Sequence, residues 1–140
     1  MKILLGILFL LHGVISAMQA KGTFNPTANK PNPDWLGWWP VPFGASWLLK
    51  DAAEKRSIGT VFGILWIVAG VVLFAAGLSL LGVIVPNNLW RTLAGIGASI
   101  SLVILFIYMH PFYGIGILAN LAILIVLLWI QWPKPETLGL

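Results

Sequence analysis

Three polar side chains fall in the middle of otherwise aliphatic runs: His12, Ser99 and Asn120. His12 stands in KILLGILFLLHGVISAM about nine residues into its run, roughly 13 Å deep at 1.5 Å per residue. An imidazole there can ligate a metal, move a proton or hydrogen-bond to a neighbouring helix. Ser99 and Asn120 lie at comparable depth in later runs, so the three form a candidate polar or quinone site. A polar group at that depth is expensive unless paired, which makes function the default reading. The competing reading is a neutral histidine bonded to Asn120 or a serine, tying helices together. A proton relay would need a second charged group, and the four acids, Asp34, Asp51, Glu54 and Glu136, lie outside the apolar runs. Haem held by two histidines needs a partner at matching depth, whereas His110 sits at a run's edge. Phosphate loops, HExxH, paired carboxylates and a Ser-His-Asp set are missing, so no residue is assigned a catalytic role. The chain has no cysteine, which removes disulfides, thiolate zinc sites and iron–sulfur clusters. No metal site is evident.

The elements that must position these groups follow from composition. Of 140 residues, 59% are hydrophobic and 9% charged, and the mean hydropathy is +0.96. That leaves too little polar surface to cover a water-soluble globule, so the chain reads as an integral membrane protein. The net charge of +4 comes from cations near run ends, where they anchor spans, and nucleic acid is not an expected partner. A single membrane domain is expected, with helices over about residues 3–19, 58–85, 89–109 and 112–131 and a loop over 20–57. Runs of about 20 apolar residues match a hydrocarbon core of roughly 30 Å, the first being at the short limit. The fold class is therefore an all-α, antiparallel four-transmembrane-helix bundle, since lipid requires backbone groups to pair within each segment. The first run also resembles a signal peptide, but a cut after Ala20 would put Met18 where a small residue is needed, and an uncleaved helix is expected.

Gly59, Gly63, Gly70 and Gly77 share a face of the second run, and Ala94 and Ala98, with Gly95, Ser99 and Ser101, make a small-residue face on the third. A close contact between these two helices is expected. The turns are Pro86-Asn87-Asn88 and His110-Pro111. Within the loop, Trp47 to Arg56 reads as a short helix in which Lys50 faces Glu54 and Asp51 faces Lys55.

The loop carries PNPDWLGWWPVPFG, with three tryptophans and four prolines. It is too short and proline-rich to bury its own rings. The expectation is an extended interfacial lid over one end of the bundle, with Trp35, Trp38, Trp39 and Trp47 at headgroup depth. Trp90, Trp129 and Trp132 form the belt at the other end. A ligand-binding aromatic box is the alternative, and the space between the lid and His12 is where a lipid, a quinone or a partner would bind. Counting cations weakly favours a cytoplasmic loop, whereas a Met-Lys start favours the opposite, which leaves the orientation open.

KILLGILFLLHGVISAM, with its His12-Gly13 pair, resembles the first helix of the DoxX-like family. GVVLFAAGLSLLGVIVPNNLWRTLAGIGASISLVIL, Gly70 to Leu105, is similar to that family's helix 2 to helix 3 pattern: a Gly-rich end, a short turn, a basic residue and a small-residue helix. The resemblance implies a four-span bundle and, as in some members, a subunit of a membrane redox assembly such as quinone-linked thiosulfate oxidation. Many members carry an acidic residue in helix 2, and the corresponding run here, Gly63 to Gly70, has none.

The leading expectation is a non-catalytic accessory or structural subunit of a larger complex in the bacterial cytoplasmic (inner) membrane, with membrane lipids and other membrane subunits as partners. A quinone-linked redox or quinone-site subunit using His12 and the tryptophans comes second, with quinone or bound lipid as the ligand. A small-molecule permease is third, and continuous helices with almost no buried charge weigh against it.

Overall fold

A computed structural model describes residues 1–24 and 31–140, apart from the side chains of Asp51 and Glu54. The described residues are predominantly helical, with no strand among them. The helices are α1 (Lys2–Met18), α2 (Ala20–Phe24), α3 (Arg56–Leu81), α4 (Trp90–Ile107), α5 (Gly114–Ile123) and α6 (Pro135–Leu138). Four stretches are long and apolar enough to cross a membrane: Lys2–Phe24, Arg56–Leu81, Asn87–Ile107 and Pro111–Trp129. The second ends earlier than expected, because Gly82 takes a left-handed φ of 76° and closes the helix. Val83 N–H then reaches back to Leu78 C=O at 2.9 Å, and Gly82 N–H to Ser79 C=O at 3.0 Å, which satisfies the last carbonyls. The fourth begins as a 3-10 turn, Pro111–Tyr113, and ends as a π-helical stretch, Leu124–Trp129. The helix expected from Trp47 to Arg56 is only a 3-10 turn, Lys50–Glu54. Its two ion pairs fall on side chains outside the described residues.

α3 is the central element, with α1 on one side and α4 on another. α3 packs against α4 as expected, but its glycines with a described close contact lie elsewhere: Gly70 and Gly77 meet α1, and Gly63 meets α2. A Cβ on Gly70 would stand 2.6 Å from Gly13 C=O, one on Gly77 would stand 2.8 Å from Gly6 C=O, and one on Gly63 would strike the Phe24 ring. Gly59 is buried as well. The reason is periodic: residues seven apart make one stripe, and that stripe accommodates a single neighbour. α4 uses a different face of α3. Gly97 lies against Leu73 and the Ala69 carbonyl, and Ala94 and Ala98 are fully buried. Two apolar clusters result, one around Leu73, Leu80, Trp90 and Leu127, the other around Trp66, Ile104, Leu105 and Tyr108.

α5 packs against α4 and its flanking turns, and it is the least embedded of the four. Only 11% of its apolar window is buried, against 44% for α3 and α4. A cleft therefore separates α5 from α1.

Candidate functional site

One chain of hydrogen bonds bridges that cleft. Asn120, fully buried on α5, donates through Nδ2 to Gly116 C=O at 2.8 Å and to Ser101 Oγ at 3.0 Å. A carbonyl only accepts, so this bond fixes the amide's orientation and turns Oδ1 toward α1. His12 Nε2 meets that oxygen at 3.0 Å and must be the donor. With the Nε2 hydrogen directed at Asn120, the neutral form of the imidazole presents Nδ1 as a lone-pair acceptor, and that nitrogen has no hydrogen-bond partner among the described residues.

Ser99 does not join. It is exposed, whereas Ser101, two positions on, is buried in the network. Two residues along a helix turn the side chain through about 200°, so the two serines cannot share a face. The spacing Ala94, Ala98, Ser101, Leu105 marks the buried face of α4 and was the available signal for Ser101.

A cavity of about 230 Å³ opens beside this network, between α1 and α5. His12 and Ser16 on α1 and Gln19 just beyond its end give it a polar stripe at helical spacing, and Trp66, Phe112 and Ile115 give it apolar walls. A smaller cavity of about 110 Å³ continues under the loop, sharing Gln19, Trp66 and Tyr113 with the first and reaching Phe43 and Tyr108. No group of three metal-ligating side chains occurs among the described residues.

The tryptophan-rich loop is fastened to the corner between α4 and α5. Trp47 Nε1 donates to Phe106 C=O at 2.7 Å and Ser46 Oγ to Ile107 C=O at 2.6 Å, satisfying carbonyls that the end of α4 leaves without partners. Asn32 Nδ2 donates to Trp39 C=O and Val41 C=O, both at 3.1 Å, which turns its Oδ1 to His110 Nε2 at 3.0 Å. His110 Nδ1 in turn accepts from Phe112 N–H at 3.3 Å, capping the turn that opens the fourth long apolar stretch. Both ring nitrogens are thus committed. His110 is 1% exposed among Phe43, Phe112 and Tyr113, and burial holds its imidazole below the usual range. Sequence reasoning placed His110 at a turn and missed this latch, because its partner Asn32 lies 78 residues away and no local pattern links them.

The four loop tryptophans divide. Trp35 and Trp38 are exposed at 67% and 71%, with Trp35 edge-on to Phe112. Trp39 is half-buried against Trp38 and His110, and Trp47 lies edge-on to Phe106. They do not converge into one aromatic box.

No family model, curated protein or solved structure matches the chain.

Proposed function

We propose that this is an integral membrane protein whose four long helices cross the bilayer antiparallel, and that it serves as a non-catalytic accessory subunit of a larger assembly in the bacterial cytoplasmic membrane. The observation that carries the subunit reading is the thin attachment of α5, 11% buried over its apolar window. In lipid no hydrophobic force drives helices together, and packing and interhelical hydrogen bonds must hold them. α5 has one packed neighbour and one polar bridge, and a partner helix on its free face supplies the missing packing. The antiparallel reading draws on the pairing of Gly6 with Gly77, Gly13 with Gly70 and Phe24 with Gly63. The exposed Trp35 and Trp38 suit a lid at headgroup depth, where an amphipathic ring is most favourable.

Purification of the full chain from native membranes in a mild detergent tests the subunit reading. A second membrane protein is expected at a fixed ratio, and it is expected to be lost when Leu118, two-thirds exposed on α5, is changed to Arg. Recovery of the wild-type chain alone, at its natural abundance, rejects the proposal.

A second reading, a quinone-linked subunit of a DoxX-like assembly, is favoured by the cavity beside His12. Here His12→Leu leaves the assembly intact and abolishes quinone-dependent turnover. Unchanged turnover excludes it.

A further inference from the structure

The two histidines of this chain make the same bond to an asparagine and differ at the other nitrogen. In His110 the second nitrogen is occupied by a backbone N–H. In His12, which lines the α1–α5 cavity, it has no partner among the described residues. The Gly116 carbonyl fixes the Asn120 amide, and the amide fixes which nitrogen of His12 carries hydrogen. In the neutral imidazole the polar edge of His12 left for a ligand is an acceptor, and the group that complements it is a hydrogen-bond donor.

Size narrows the ligand further. A dry cavity of about 150 Å³ holds benzene, so a space of about 230 Å³ takes one substituted ring or a comparable fragment. Trp66 and Phe112 offer aromatic walls to such a ring, and Ile115, 84% exposed, stands at the open side, where an alkyl tail would leave toward lipid.

We propose that the α1–α5 cleft binds the hydroxyl-bearing head of a lipid-phase amphiphile of single-ring size, the hydroxyl donating to His12 Nδ1. The inference rests on the reading that α1 and α5 span the bilayer, and it holds whether the chain works alone or in an assembly. It also sharpens the quinone reading, because a quinone offers only acceptors and a hydroxyl-bearing ring offers the donor.

The test uses the full chain in lipid nanodiscs and three probes with the same alkyl tail: a 4-alkylphenol, its methyl ether and the alkyl-1,4-benzoquinone, each at matched concentration in the lipid phase. Saturable binding of the phenol is expected, about tenfold tighter than the ether or the quinone, since a buried acceptor left unmatched is costly. In His12→Leu the preference disappears. Should that variant fail to fold, the wild-type protein labelled with ¹⁵N-histidine still decides, because the phenol shifts the Nδ1 resonance of His12 and the ether does not. Equal binding of phenol and ether, or no saturable binding, overturns the proposal. A preference for the quinone overturns the donor assignment while leaving the quinone-linked reading standing, and neither result touches the membrane topology.

Discussion

His110 shows how a buried histidine can be wholly structural. Its Nε2 donates to Asn32, its Nδ1 accepts from Phe112, and the ring is sealed among aromatics. Protonation at Nδ1 would eject the Phe112 N–H and place a charge in that enclosure. In the unfolded chain the ring takes its proton near 6.5, and in the folded protein only at lower pH. Between those values the unfolded state holds more protons, so the stability is complete above about pH 6.5 and drains away as the pH falls below it. Thermal unfolding in detergent between pH 7.5 and 5 is expected to show a falling midpoint in the wild type and a flatter line in His110→Gln. Parallel lines would identify a different titrating group. Of the candidate site, His12 and Asn120 were legible because polar residues are conspicuous in apolar runs. The choice of Ser101 over Ser99 was also legible, in the periodicity of α4, although a count of depth alone favours Ser99.

Among the elements, the join between α1 and α3 is the tightest backbone approach described. A Cβ on Gly70 meets Gly13 C=O at 2.6 Å and Ala17 N at 2.7 Å, and backbone atoms cannot swing aside as a flexible side chain can. Gly70→Ala is therefore expected to part the two helices and destabilise the protein by about 1–3 kcal/mol, the usual cost of overpacking. A Cβ on Gly22 in α2 would meet nothing within 4 Å, and Gly22→Ala is expected to be neutral or to stabilise by about 0.5–1 kcal/mol. Denaturant titration of both variants in detergent makes the comparison. Equal effects would mean that the glycine stripe has no packing role. The seven-residue stripe was visible in the sequence, but its partner was not, because α1 and α4 both offer small residues and only three-dimensional packing allots them.

At the scale of the molecule, the proposed topology puts the ends of the bundle on opposite sides of the membrane. Lys55 and Met109 belong to the end that carries the tryptophan loop, and Asn88 and Lys134 to the other. The chain has no cysteine, so each can be replaced singly by Cys and labelled with a membrane-impermeant maleimide. Positions 55 and 109 are expected to label from one side and 88 and 134 from the opposite one; labelling of 55 and 88 from the same side would sink the antiparallel arrangement. Four long apolar helices and the turns between them were determined by the sequence itself, since hydropathy, proline and glycine act over a few neighbouring residues; that Trp35 and Trp38 are exposed while Trp39 is half-buried was not. Only the tertiary structure decided which face meets which helix, that α5 stands apart from α1 across a cleft, and that Asn32 closes on His110. Those outcomes depend on residues far apart in the chain competing for the same space, and a one-dimensional pattern does not record that competition.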